Sequence, residues 1–192
     1  QRPILTTSIL LVLQRSIEGF RNGKRQGVFK KYLENGRLVF FWHYQKGKLE
    51  GAGREYYDNG EWKKVCHYQN DALHGYAKEF DEKGRLKKQE HYIKGKKGGK
   101  VKIFSANCNL TILENYRYDE LHGISQNFLQ NGMLLREVNF KDGFLDGCAR
   151  EYYKNGRLKK ETYYKNDKLD GAEKEYYPNG HCRLNGFMIT IS

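Results

Sequence analysis

The side chains able to do chemistry are numerous but scattered. His43, His67 and His91 recur every 24 residues, which invites a metal-binding reading. One ion needs imidazole nitrogens only about 2 Å away, whereas a repeat folded as two strands moves each ring roughly 10 Å from the last. A polar surface column is expected, with no metal and no cofactor. Cys66, Cys108, Cys148 and Cys182 form no motif. Given the same displacement, they miss the Cα separation of about 7 Å or less that a disulfide requires, so free thiols are expected. The segment Gly95-Lys96-Lys97-Gly98-Gly99-Lys100 lacks phosphate-loop spacing and reads as a basic turn. No nucleophile elbow or H-E-x-x-H element occurs, and glutamates recur beside lysines as an ion-pair ladder would, unlike an acid–base dyad. Catalysis is not expected.

The elements that position these residues follow from one period. Gly27, Gly51, Gly75, Gly99, Gly123, Gly147 and Gly171 are spaced by 24 residues without insertion, a spacing that marks a repeat architecture. With that glycine as position zero, position five is aromatic in every copy, from Tyr32 and Tyr56 to Tyr152 and Tyr176. Position nine is Gly36, Gly60, Gly84, Gly132, Gly156 and Gly180, interrupted by Cys108, and position seventeen is Tyr or Phe from Tyr44 to Tyr164. Residues 1–26 read as a degenerate N-terminal cap repeat and 27–192 as seven tandem repeats, the last degenerate toward its end.

Each unit holds two apolar–polar runs separated by a turn such as Asp58-Asn59-Gly60, the pattern of a β-hairpin. Proline lacks an N–H, so Pro178 in Pro178-Asn179-Gly180 favours a three-residue loop, a type I turn closed by glycine in the left-handed region. A second turn, at Lys46-Gly47, Asn70-Asp71, Asp142-Gly143 and Asn166-Asp167, reverses the chain into the next hairpin. The predicted register pairs position five with eleven, as Tyr56 with Trp62, and position four with twelve, as Glu55 with Lys63 and Glu151 with Lys159. Positions five, eleven and seventeen are then expected on one face.

Composition agrees with a thin structure. Of 192 residues, 38% are hydrophobic, 30% charged and 14% aromatic, too polar for a thick two-layer core and too aromatic for disorder. The fold expected is all-β, an elongated single-layer antiparallel meander of hairpin repeats. The longest apolar run, Ile9 to Leu13, is far short of a membrane-spanning helix, and the stretch up to Ser16 lacks the small-residue cleavage site of a secretory signal.

The segment Gly147-Cys148-Ala149-Arg150-Glu151-Tyr152-Tyr153-Lys154-Asn155-Gly156-Arg157-Leu158-Lys159-Lys160-Glu161 resembles the variant MORN repeat, a form common in bacterial proteins, including some named antitoxins of toxin–antitoxin systems. The resemblance runs from about Phe20 to Asn185. It implies an elongated hairpin array that binds other macromolecules, including toxin-neutralising immunity proteins. The fourth copy departs from the pattern with Ser105-Ala106-Asn107-Cys108 at its turn.

Charge suggests where a partner would bind. Lys and Arg number 35 against 23 Asp and Glu, a net charge of +12. The predicted register sets position three against thirteen on the aromatic face, giving Arg54 with Lys64, Lys78 with Lys88 and Arg150 with Lys160. One reading is that their stems lie on the rings while the heads reach water. The other is an electropositive strip that receives carboxylates or phosphates. The function expected is a non-catalytic, antitoxin-like or immunity-type array occluding an acidic protein, such as a toxin domain. The alternative is a membrane-associated scaffold for anionic headgroups. Nucleic acid is not expected, because no element that reads bases is present.

Overall fold

The computed structural model describes residues 15–188, with side chains over 16–183. Residues 1–14 and 189–192, including the run Ile9 to Leu13 and much of the expected cap, lie outside the described residues. Every regular element among the described residues is a strand. Each hairpin strand pairs antiparallel with the one before and the one after, as Gly51–Tyr56 with Leu38–Gln45 and Trp62–Gln69. The result is one open, single-layer meander. At the N-terminal end, Arg15–Ile17 pairs with Gly27–Tyr32, and Phe20–Arg21 forms a small separate hairpin with Lys24–Arg25. The last hairpin pairs Gly171–Tyr176 with Cys182–Met188.

Local chemistry makes the first turn as expected. Tyr177 N donates to His181 O and Gly180 N to Tyr177 O, both at 2.8 Å, and Gly180 has a φ of 94°. Pro178 occupies the second position of that type I turn, where no N–H is needed. The fourth copy keeps this geometry despite its sequence: Ser105 N donates to Asn109 O at 2.8 Å and Cys108 N to Ser105 O at 2.9 Å. Cys108 therefore sits at a φ of 62°, where glycine stands in the other copies. The second turn has two residues with positive φ, as in Asn70 at 49° and Asp71 at 68°, the signature of type I′. Its aspartate also ties neighbouring repeats together. Asp71 Oδ1 accepts from Leu49 N, Asp119 Oδ1 from Lys97 N, and Asp167 Oδ1 from Leu145 N, each at 2.7 Å.

The register differs from expectation by one residue beyond the turn. Position five does pair with eleven, as Tyr56 with Trp62, but Glu55 pairs with Lys64 and Arg54 with Val65. A bulge at this point recurs in every hairpin. Position twelve is the extra residue, and it still reaches the glutamate at position four: Lys159 Nζ lies 3.4 Å from Glu151 Oε2 and Arg183 Nη1 3.9 Å from Glu175 Oε2. The expected ion pairs thus form in these two copies, while the ladder itself sets position four against thirteen. Because alternation has a period of two, a one-residue shift moves side chains to the other face. Position seventeen accordingly lies opposite the face of positions five and eleven, correcting the single aromatic face expected.

The core is a stripe down the face of positions two, fifteen and seventeen. Phe29, Tyr44, Cys66, Ala77, Val101 and Val138 are its buried apolar members. Large and small side chains alternate there. Phe29 stacks on Trp42 with centroids 5.4 Å apart, and Gly53 leaves the room these rings need. A Cβ on Gly53 would lie 2.9 Å from Tyr68 Cε2 and 3.3 Å from Trp42 Cδ1. Tyr68 and Tyr92 stand with their hydroxyls held neutral, burial pushing each pKa upward, and burial pushes Tyr116 up to about 12.

Candidate binding surface

The bulge divides the six cations expected at a partner site between two faces. Lys64, Lys88 and Lys160 lie on the core-stripe face, in a column where each stands opposite at least one glutamate. Lys64 stands between Glu55 and Glu79, and Lys160 between Glu151 and Glu175. Lys88 Nζ reaches the buried Glu90 at 2.9 Å and Lys160 Nζ reaches Glu173 at 2.9 Å; the latter contact raises the lysine's pKa. These three lysines are compensated within the fold. The three like-charge pairs of the predicted register do not form: Arg54 faces Val65, Lys78 faces Gln89 and Arg150 faces Glu161.

Arg54, Lys78 and Arg150 lie on the other face, with the aromatic residues of position five. They belong to one unbroken column in which position three of each repeat alternates with position fourteen. From the N-terminal side it reads Lys30, Phe41, Arg54, Val65, Lys78, Gln89, Lys102 and Leu113, each directly opposite the next. It continues through Gln126, Glu137, Arg150 and Glu161. The two halves differ in kind.

The C-terminal half is closed on itself. Arg150 Nε donates to Glu161 at 2.7 Å and Arg150 Nη1 to Glu137 at 3.3 Å, while Gln126 Nε2 donates to Glu137 at 3.2 Å. Tyr152 OH and Tyr163 OH donate to Glu137 and Glu161 at 3.4 and 3.3 Å. The Arg150 guanidinium holds the Glu161 carboxyl below the usual carboxylate range, and the same contact raises the arginine. Burial pushes the Cys148 thiol up, which makes it a weaker nucleophile at neutral pH.

The N-terminal half is open. Lys30, Arg54, Lys78 and Lys102 alternate with Phe41, Val65, Gln89 and Leu113, none of them acidic. On this face, the long-strand positions of the first four repeats contain no Asp or Glu, and the acid of the short strands, Glu120, stands at the far end opposite Arg117. Among the described residues none of the four cations is ion-paired. Arg54 Cζ lies over the Phe41 ring at 5.2 Å, so its guanidinium head makes a cation–π contact with a neighbour in the column. Rings flank the column on both sides. Trp62 and Phe80 meet with centroids 6.0 Å apart on one side, and Tyr76 and His91 at 4.9 Å on the other. Trp62 is 48% and Tyr76 58% exposed.

The histidine column shares this face. His43 Nδ1 lies 3.0 Å from Glu50 O, and His91 Nδ1 contacts Gly98 O. As a carbonyl only accepts, these ring nitrogens are donors and are used in bracing the chain before the next repeat. Cys66, in the core stripe, has its thiol pKa raised by burial.

Lys30 and Lys102 are the members that sequence reasoning missed. Their partners in the expected register, Phe40 and Ile112, are apolar, so neither forms a basic pair there. The signal lay in position three read alone, which is Lys30, Arg54, Lys78 and Lys102 through the first four copies.

Such regular two-strand units, stacked without helices, agree with the comparison to known families. A model described as "MORN repeat variant" matches residues 49–70, 73–94, 121–142, 145–166 and 169–181, more than half of the chain. The chain belongs to the MORN repeat variant family. Repeats of this family are in general non-catalytic binding units. The fourth MORN copy, between the second and third matched segments, departs at its turn sequence yet has the same hairpin, bulge and register as its neighbours. Comparison with curated proteins gave no match. Among solved structures, "Crystal Structure of TarM" is similar at 14% identity and a TM-score of 0.30, covering 68% of this chain and 21% of that one. The chain thus spans about a fifth of that protein, and the likeness carries no argument about activity.

Proposed function

We propose that this MORN array is a non-catalytic binding protein that holds an acidic protein along the open half of its cationic column, and so occludes that partner as an antitoxin or immunity protein would. The observation that supports this reading is the run Lys30, Arg54, Lys78 and Lys102, two strands apart in a half-column that contains no carboxylate. In the sixth repeat the equivalent arginine is neutralised from within. Leaving the first four uncompensated costs self-repulsion, which an external anion relieves. Cations at the rim of a contact chiefly accelerate encounter and impose a salt dependence.

Affinity capture with the wild-type chain and with the double variant Arg54→Glu/Lys78→Glu tests this. Proteins retained by the first and lost from the second, with acidic composition and salt-sensitive association, are the expected result. A partner retained equally by both would overturn the proposal. So would binding confined to anionic vesicles.

A further inference from the structure

The spacing of the open column narrows the chemistry of the partner. Neighbouring strands lie about 4.7–4.9 Å apart, so cations two strands apart recur at about 9.4–9.8 Å. A polyproline II chain rises about 3.1 Å per residue with three residues per turn, so every third side chain returns to the same side after about 9.3 Å. Over the three intervals from Lys30 to Lys102, nine such steps cover about 28 Å, against about 28–29 Å for six strand spacings. Flexible lysine and arginine stems absorb the remaining difference and the twist of the sheet.

Other conformations fit less well. In a β-strand, every third residue points to the opposite side, so alternate carboxylates would face away. In an α-helix the nearest match is every seventh residue, at about 10.5 Å, and the phase error would grow with each repeat. The flanks agree with the first option. Polyproline II segments dock on grooves lined by aromatic rings, and the cations run between the position-five row, Tyr32, Tyr56, Phe80 and Phe104, and the Tyr76–His91 side.

We infer that the open column reads an extended, polyproline II segment of an acidic protein, running across the strands and carrying a carboxylate at every third residue. The inference rests on the binding role proposed above and adds the conformation and period of the segment recognised. Its discriminating property is phase. The carboxylates must recur in step with the repeats, and charge alone does not suffice.

Two synthetic peptides of identical composition separate these properties. One is (Glu-Pro-Pro)4. The other is Glu-Pro-Glu-Pro-Pro-Pro-Glu-Pro-Glu-Pro-Pro-Pro, in which successive carboxylates fall out of step. With the unaltered chain, the first peptide should bind at least about tenfold more tightly, a difference near 1.4 kcal/mol. Lys102→Ala should weaken it several-fold and Lys64→Ala should leave it unchanged. Equal affinity for both peptides, lost on Arg54→Glu/Lys78→Glu, would overturn the phase rule while leaving the acidic-partner reading intact. Binding of neither peptide, with capture of oligo-dT or anionic vesicles through the same column, would overturn both.

Discussion

Gln89 lies directly between Lys78 and Lys102 in the open half of the column, and replacing it by glutamate changes charge with almost no change of shape. Gln89→Glu should therefore set one acid between two bases in the third repeat, the converse of Arg150 held between Glu137 and Glu161. Two new half-exposed ion pairs at about 0.2–1 kcal/mol each imply a stability gain of about 0.4–2 kcal/mol at neutral pH and low salt. The gain should shrink as salt screens the pairs. The same step withdraws two of four cations from an external carboxylate segment. With a similar contribution per contact, affinity for (Glu-Pro-Pro)4 should drop by about 0.4–2 kcal/mol, or roughly 2- to 30-fold. Urea unfolding at two salt concentrations and fluorescence anisotropy of the labelled peptide read the two effects separately. Asn127→Asp makes the same chemical change on the opposite face, beside Arg136, and should leave affinity unaltered. The reasoning fails if Gln89→Glu binds as tightly as the wild type, or if Asn127→Asp weakens binding to the same extent.

Relief of the left-handed Cys108 should make Cys108→Gly more stable by about 0.5–1 kcal/mol, the backbone strain of about 1–2 kcal/mol being partly offset by glycine's greater unfolded-state freedom; a lower urea midpoint would contradict the turn geometry. Conversely, Gly60→Val should cost about 1–3 kcal/mol, because a side chain there meets nothing within 4 Å and only the φ of 91° opposes it. For Glu90, burial raises the carboxyl's pKa, but contacts from Lys88 and Lys97 outweigh it and leave the group below its ordinary value. Its stabilisation is thus present above the unfolded carboxyl pKa of about 4.3 and lost as pH falls through the lower folded value; Glu90→Gln should cost about 1–3 kcal/mol at neutral pH, and the gap to wild type should close in acid unfolding curves. Tyr116, pushed up to about 12, keeps its contribution below the unfolded pKa of about 10 and loses it as pH rises toward the folded value, so ultraviolet difference titration should show this hydroxyl ionising together with unfolding.

Period, hairpin unit and both turns were legible in the sequence because each depends on residues adjacent in the chain. Pro178 excludes an N–H donor at one turn position, Asn59-Gly60 supplies the left-handed residue, and Asn70-Asp71 allows two successive positive φ values. The glycine that sets the frame was legible only as a marker. In the structure it too is left-handed, from 78° at Gly75 to 109° at Gly171, where the chain re-enters the sheet after the second turn. What the sequence left open was the bulge at position twelve, since a bulge belongs to the pairing of two strands and not to either alone. That one residue decided which face each cation occupies. Lys64, Lys88 and Lys160 went to an internally balanced column, Arg150 was enclosed by Glu137 and Glu161, and Lys30 and Lys102 joined Arg54 and Lys78. Side-chain type was fixed along the chain, but the neighbours that neutralise a charge lie across strands, and only tertiary pairing chose them.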